Sequence, residues 1–173
     1  MPLYLDACAL AKRYLPEYGS KRMIEITNQF DRWGGLVVSG FVEPEVISAL
    51  GKYARNHGTS SADHLQRHPA IVDQLRQDLS DSAFTVVSVT DEVVKQASDL
   101  LRLRPEYTIH AGDAVHLATA LTIRSLRKLK GSLVFVTADR GLELAARAEG
   151  LATFNPVREG IGTLRTIPGI SPS

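Results

Sequence analysis

"LVFVTADRGLELAARAEGLATF", residues 133–154, decides the fold class of this chain. Residues 133–137 form an apolar run that predicts a buried strand, and residues 140–149 have the spacing of a helix that Gly150 closes. Residues 152–154 then predict a last short strand. Strands that are apolar on both faces and alternate with helices are typical of a parallel sheet covered by helices.

The same alternation extends back towards the N-terminus. We predict three further strands, over residues 2–5, 36–38 and 84–89. The sequence therefore predicts an α/β fold, a three-layer α/β/α sandwich with a mainly parallel central sheet. Helical patterns lie between the strands, up to about residue 16 and over 21–31, 43–58, 60–80 with a break near Pro69, and 111–127.

The C-terminal tail, residues 157–173, differs in composition from the rest and is rich in Gly, Pro and Ser. We expect it to add an edge strand around residues 164–167 or to be partly disordered. The chain has no internal repeat and no sign of a second domain, so we take residues 1–156 as one domain.

Composition limits the class of protein. The chain has 173 residues, 44% hydrophobic and 23% charged, which is typical of one soluble globular domain. It has a single cysteine, no pattern of a signal peptide, and no uncharged run long enough for a membrane span, so we expect a cytoplasmic protein. The net charge of +1 shows no excess of positive charge for binding nucleic acid. Binding of a polyanion would therefore need local patches of positive charge or bound metal ions.

Acidic residues fall where the predicted strands end. Asp6 ends the first strand, Asp139 follows the strand over 133–137, and Glu43, Glu45 and Asp113 lie in first turns of helices. Each of them alone is explained by helix capping. Because the carboxyl ends of parallel strands meet at one edge, we expect them to cluster there and to need a cation. Carboxylate oxygens suit Mg²⁺ or Mn²⁺ better than zinc.

Other metal and phosphate sites are not supported. The chain has no CxxC, no HExxH and no GxxxxGK[ST] motif. His110 and His116 are about 240° apart around a helix, so they cannot share one ligand face. We expect His116 to be a packed side chain or one that supports a ligand.

Basic residues form two groups. Arg124, Arg127 and the lysines that follow lie at the far end of the predicted helix over 111–127 and complement its C-terminus. Lys12, Arg13 and Arg140 are nearer to the acids in sequence. We therefore predict that these three residues can contact a phosphate backbone.

The chain resembles PIN domains, and most closely the VapC toxins of toxin–antitoxin systems. "LYLDACALAKRYLPEYGS", residues 3–20, resembles their opening motif, in which an acid ends the first strand. "EPEVISAL" (43–50), "AGDAVHLATAL" (111–121) and "FVTADRGLELAARAEGLATFNP" (135–156) resemble the second, third and fourth motifs. The four motifs occur in order, so the resemblance covers residues 3–156.

The resemblance implies functional roles for particular residues. It implies that Asp6, Glu45, Asp113 and Asp139 are catalytic metal ligands and that Thr137 supports them. Cys8 and His116 are further supporting residues of the predicted site. Glu43 is then a neighbour of the site. The chain departs from the family at Cys8, where Ser or Thr is usual, and a thiol is the poorer hydrogen-bond partner.

A function follows from the resemblance. It implies a Mg²⁺- or Mn²⁺-dependent endoribonuclease, the toxin of a type II toxin–antitoxin system, that hydrolyses RNA with a metal-activated water. It also implies a VapB-like antitoxin and a homodimer, or a larger toxin–antitoxin assembly, as partners. The alternative is a catalytically weakened PIN-fold module that binds RNA or protein, because fold does not fix function and Cys8 departs from the family.

Overall fold

The computed structural model of the protein describes residues 1–57, 61–126 and 133–167. Strands and helices alternate along most of the chain. The strands are β1 (Leu3–Leu5), β2 (Leu36–Ser39), β3 (Phe84–Val87), β4 (Val134–Val136) and β5 (Ala152–Phe154). The helices are α1 (Ala7–Ala11), α2 (Ser20–Asn28), α3 (Val42–His57), α4 (Ser61–Ser80), α5 (Asp91–Leu103), α6 (Ala111–Leu126), α7 (Arg140–Ala148) and α8 (Ile161–Thr166), with a 3₁₀ turn over Phe30–Trp33.

The five strands form one sheet in the order β3-β2-β1-β4-β5, and every pair in it is parallel. Tyr4 in the central strand is paired with Val37 of β2 and with Phe135 of β4. Parallel pairing places all carboxyl ends at one edge of the sheet, so loops that follow different strands meet there. The predicted α/β/α fold with a parallel sheet is confirmed.

Alternate strand residues enter two separate cores. Leu3 and Leu5 lie in a core with helices α1, α2, α3, α4 and α8 on one face of the sheet. Tyr4, Val37 and Phe135 lie in the core on the other face, with helices α5, α6 and α7. Successive side chains of a strand point to opposite faces, so strands buried on both sides must be apolar at every position.

Polar side chains start three helices at the carboxyl edge of the sheet. Asp6, Thr90 and Asp139 are the N-caps of α1, α5 and α7, and each accepts a hydrogen bond from a backbone N–H of the first turn. Such caps contribute about 1 kcal/mol each. Capping therefore explains why these residues lie where they do, even before any chemistry is considered.

Two details of the secondary structure differ from the prediction. The expected edge strand around residues 164–167 is wrong, because Ile161–Thr166 form a helix whose Leu164 is buried in the first core. The expected break near Pro69 is also wrong, since α4 runs through Pro69 from Ser61 to Ser80. Residues 168–173, the end of the predicted tail, lie outside the described residues.

Membrane insertion finds no support in the helices. Within the described ranges, none of them combines the length and the apolar composition that a bilayer span requires. The longest, α4, has 20 residues, and it carries charged side chains along its length. This agrees with the sequence, which has no sufficiently long uncharged run.

Candidate active site

The centre of the sheet has a topological switch point. The chain passes from β1 outward to β2 and β3, and then returns to the other side of β1 to form β4 and β5. The crevice beyond the carboxyl ends of the two strands at such a reversal is the usual ligand site of an open α/β sheet. Asp6 follows β1 and Asp139 lies just beyond β4, so the two acids flank this crevice.

Asp6 is held in place by three hydrogen bonds. Its backbone N–H donates to Val136 of β4, which extends the parallel pairing by one residue. Its Oδ1 accepts from the backbone N–H of Ala9 at 2.7 Å, and its Oδ2 accepts from the hydroxyl of Thr137 at 2.5 Å. The residue is 1% exposed, so the bonds from Ala9 and Thr137 take the place of water at its carboxylate.

Thr137 joins the two acids of the crevice. Its fully buried hydroxyl donates to Asp6 and accepts from the backbone N–H of Asp139 at 3.0 Å. Oδ1 of Asp139 in turn accepts from the backbone N–H of Leu142 at 2.8 Å. The predicted supporting position at Thr137 therefore contacts both acids and fixes their relative position.

Asp113 reaches the same edge from the start of α6. Its Oδ2 accepts from the backbone N–H of His110 at 2.8 Å, the reverse half of a capping box. The loop before α6 is anchored beside α7, because a Cβ at Gly141 would lie only 2.6 Å from the carbonyl oxygen of Thr108. Gly141 thus permits the close approach that brings Asp113 towards Asp139.

Glu45 is positioned by a buried pair of side chains. Its Oε2 lies 2.5 Å from Nε2 of His116, and Nδ1 of the same imidazole lies 3.0 Å from the hydroxyl of Tyr4. Tyr4 is fully buried and His116 is 2% exposed. His116 therefore contacts an acid of the site, whereas Glu43 pairs with Arg76 at 2.8 Å on the outer surface.

The first turn of α6 also limits where Glu45 can lie. A Cβ built on Gly112 would collide with Oε1 of Glu45. The carboxylate thus occupies space that a side chain would take in any other residue at this position. Glycine at this position therefore leaves room for the Glu45 carboxylate beside the first turn of α6.

The acids interact electrostatically. Burial raises the pKa of Asp6 to about 6, and the charge of Asp113 adds to this, although the charge of His116 works in the opposite direction. Burial likewise raises the pKa of Asp113, and the carboxylates of Asp139 and Glu45 raise it further. Within the described ranges, no Lys or Arg side chain forms an ion pair with any of these acids. Apart from the contact between His116 and Glu45, the cluster therefore has no basic partner in the described ranges.

The chemistry of this donor set fits a hydrated divalent cation. In the part of the chain that the structure describes, no three His, Cys, Asp or Glu side chains are close enough to hold one metal ion directly. Mg²⁺, however, usually keeps several waters and is bound through only one or two carboxylates. An all-oxygen site between charge-coupled acids suits this mode of binding, and it does not suit zinc.

Cys8 lies at the mouth of the crevice, in an exposed position. Partial desolvation raises the pKa of its thiol, and the carboxylates of Asp6, Asp113 and Asp139 raise it further. The side chain is therefore a neutral thiol at physiological pH. It can offer only a weak hydrogen bond where a Ser or Thr would offer a hydroxyl.

The three predicted phosphate contacts have different surroundings. Lys12 is 8% exposed and its ammonium bonds Glu17 at 2.9 Å, beside the crevice. Arg140 is half exposed and pairs with Glu143 at 3.1 Å.

Arg13 points away from the acids. Its guanidinium pairs with Asp78 at 2.7 Å and bonds the side chains of Thr27 and Asn28. Asp78 lies near the end of α4, which leads into the amino end of β3. The Arg13 side chain therefore lies towards the opposite edge of the sheet, away from the acids. The structure does not support the prediction that it contacts RNA.

Sequence reasoning missed several residues that shape the site. Tyr4 was expected only as part of an apolar strand, and its hydroxyl gave no signal because its partner lies 112 residues away. Glu143 is 2% exposed and bonds Asn155, Arg140 and Arg147, which ties α7 to the end of β5. Gly112 beside Asp113 had a visible signal, since glycine in a first helical turn suggests close packing.

The chain is similar to one protein family and to several solved structures. A model of the PIN domain family matches residues 3–148. Among solved structures, Mycobacterium tuberculosis VapC20, described as a Sarcin-Ricin loop cleaving toxin, is similar with a TM-score of 0.61 at 18% identity, over 89% of this chain and 99% of that one. A search of curated proteins finds no significant match.

Two further solved structures are similar to this chain. FitAcB from Neisseria gonorrhoeae gives a TM-score of 0.57 at 17% identity, over 91% of this chain and 99% of that one. FitAB bound to an IR36 DNA fragment gives 0.61 at 14% identity, over 91% and 97%. At these identities the likeness concerns the fold.

Proposed function

The chain belongs to the PIN domain family, and on that premise we propose that it is a divalent-metal-dependent endoribonuclease that acts as the toxin of a toxin–antitoxin pair. The observation that carries the proposal is the convergence of Asp6, Glu45, Asp113 and Asp139 at the switch point of the sheet, without a compensating Lys or Arg in the described ranges. Asp6 is buried and the other three acids are half-buried, and a cluster of like charges removed from water is costly unless a cation joins it.

The residues of the cluster have distinct tasks in this proposal. Asp6 and Asp139, fixed relative to each other by Thr137, would hold the cation with Asp113. Glu45, oriented by His116, would accept a hydrogen bond or a proton from a water in the crevice. A bound Mg²⁺ or Mn²⁺ would supply an activated water and neutralise charge on the phosphate.

The substrate class follows from the family and from charge. The net charge of +1 gives the protein no general attraction for a polyanion. A cation bound at the acids would make the negative crevice a place where a phosphodiester can lie, so RNA binding does not need a strongly basic protein. The similarity in fold to a toxin described as cleaving the Sarcin-Ricin loop supports RNA as the substrate. We place this activity in the cytoplasm, where such an RNA is found.

Two protein partners complete the proposal. The acid cluster is a suitable receptor for an Arg side chain of an antitoxin, since Arg pairs well with carboxylates. The fold similarity to FitAB, a complex bound to DNA, supports such a partner. Exposed apolar side chains on α5, Val94 and Leu101, support a homodimer, which light scattering after size-exclusion chromatography would test.

The decisive test is RNA cleavage under controlled metal conditions. Purified protein should cut single-stranded RNA with Mg²⁺ or Mn²⁺, and EDTA or Asp6→Asn should abolish cutting. Asp31→Asn, which changes the same charge at an exposed position, serves as the matched control and should cut normally. Cleavage that survives both EDTA and Asp6→Asn would disprove the mechanism.

The alternative is a binding module on the same fold. Its support is the neutral thiol at Cys8 and the lack of a preformed three-ligand group among the described residues. Tight Mn²⁺ binding without cleavage of any RNA would favour it. In that case Cys8→Ser should restore cleavage if the missing hydroxyl is the cause.

A further inference from the structure

A cavity of about 340 Å³ opens directly beside the acids. Cys8 and Asp139 form its inner end, and the rest of its wall comes from α1, the turn after it, and α3. This volume is within the range of small-molecule sites in proteins. Neither the metal chemistry nor the packing of the sheet makes use of it.

The cavity wall is a continuation of the acid-bearing face of α3. Ala49, Lys52, Tyr53 and Asn56 line the cavity, and their spacing places them on one stripe of the helix. Glu45 begins the same stripe, one turn earlier. The cavity is thus a groove that leads away from the acids, and Tyr53 lies about 12 Å along the helix axis from Glu45.

Charge changes sign along this groove. Asp139 makes the inner end negative, whereas two lysines lie further out. Lys12 is neutralised by Glu17 at 2.9 Å. Lys52 is exposed, and over residues 1–57, 61–126 and 133–167 no acid pairs with it. Its ammonium is therefore available to an anionic ligand at the outer end.

The remaining wall suits a nucleobase. The half-buried ring of Tyr53 gives a flat surface, and aromatic rings that line a groove stack on bases of any sequence. Ala11 and Ala49 add small apolar surface, and Asn56 adds an amide that can bond a base edge. Basic, aromatic and amide groups in one groove beside a phosphate-cutting site match a nucleotide better than an apolar peptide.

We propose that this groove binds one nucleotide of single-stranded RNA next to the bond that is cut, with its phosphate at Lys52 and its base on Tyr53. The inference rests on the proposed ribonuclease function. It makes these two residues determinants of substrate binding that do not take part in the chemical step.

The test measures binding of RNA separately from cleavage. A fluorescein-labelled single-stranded RNA of mixed sequence is titrated with the protein in EDTA, and fluorescence anisotropy reports the affinity. Lys52→Ala should weaken binding and reduce its salt dependence. Tyr53→Leu should weaken binding about tenfold, whereas Tyr53→Phe, which keeps the ring, should bind like the wild type.

Lys95→Ala is the matched control, since it removes the same charge from an exposed position on α5. Equal affinity of all variants, or equal losses for Lys52→Ala and Lys95→Ala, would overturn the proposal and leave the groove to a protein partner. A wild type that binds no RNA would overturn it as well. Binding that depends on Lys52 and Tyr53 without any cleavage in Mg²⁺ would support the groove and contradict the nuclease function.

Discussion

The hydroxyl of Tyr4 lies 3.0 Å from Nδ1 of His116, and this contact sets the direction in which the imidazole faces Glu45. Burial raises the pKa of Tyr4 well above its ordinary value, so the phenol stays protonated. His116 thus contacts Tyr4 through one ring nitrogen and Glu45 through the other, so Tyr4 helps to hold the imidazole that positions Glu45.

Tyr4→Phe should reduce cleavage while keeping the fold. The ring still packs against Phe135, but His116 loses its contact with the phenol hydroxyl. Loss of such supporting contacts typically costs about 10–100-fold in metal affinity or activity. Single-turnover cleavage at saturating Mn²⁺ separates these two effects. Tyr18→Phe, at an 81% exposed position, is the control, and equal activity of both variants would show that the contact has no role.

Gly112→Ala should disable the site through a steric effect alone. The new methyl group would occupy the position of the Glu45 carboxylate, so the acid must turn away or α6 must move. Gly51→Ala on α3 is the matched control, because the nearest atom to its new methyl group lies at 3.4 Å, an ordinary contact distance. In a helix this change normally stabilises by roughly 0.5–1 kcal/mol. We expect loss of cleavage for Gly112→Ala only, and full activity of that variant would contradict the observed placement of Glu45.

Particular residues show why the fold could be predicted and parts of the site could not. The strands were predictable because their residues are mostly apolar, and the central strands are buried on both faces as in a parallel sheet covered by helices. The position of Asp6 and Asp139 at the carboxyl edge of the sheet could then be predicted, because both residues come shortly after strands. The C-terminal helix was missed because its few residues carry weak signals and are held by the packing of Leu164.

Side-chain partners were harder to predict than positions. Arg13 and Lys12 are neighbours in sequence, yet Arg13 pairs with Asp78 of α4, a residue 65 positions away. Burial raises the pKa of Asp78, but hydrogen bonds from Arg13, Gln74 and Tyr14 outweigh it and leave the pKa lowered. A sequence pattern gives the spacing within one helix, whereas such pairs depend on how two elements pack together.

Glu143→Gln should destabilise the protein in a pH-dependent manner. Burial raises the pKa of Glu143, but bonds from Asn155 and Arg140 and the charge of Arg147 outweigh it and lower the pKa. A lowered pKa means that the ionised group contributes stability above its unfolded pKa of about 4.3, and that this is lost as pH falls through the folded value.

Urea denaturation at neutral pH should therefore show a loss of about 1–3 kcal/mol for Glu143→Gln. The difference from the wild type should shrink on acidification below about pH 4. Glu25→Gln, at an exposed position, should unfold like the wild type at both pH values. A loss for Glu143→Gln that does not change with pH would show that packing, and not charge, is responsible.

Asp6→Asn should make the metal-free protein more stable while it abolishes cleavage. Because burial raises the pKa of Asp6 to about 6, the ionised carboxylate opposes folding at neutral pH, and this cost is absent below the unfolded pKa of about 3.9. Asparagine keeps the cap to Ala9 without the charge. In EDTA at pH 7 the melting temperature should rise, by about 2–4 °C for each kcal/mol recovered, and the gain should vanish at acid pH.

Mn²⁺ should raise the melting temperature of the wild type and not of the variant. A lower melting temperature for Asp6→Asn at pH 7, or equal stabilisation of both proteins by Mn²⁺, would contradict the assignment of Asp6 as a charged ligand.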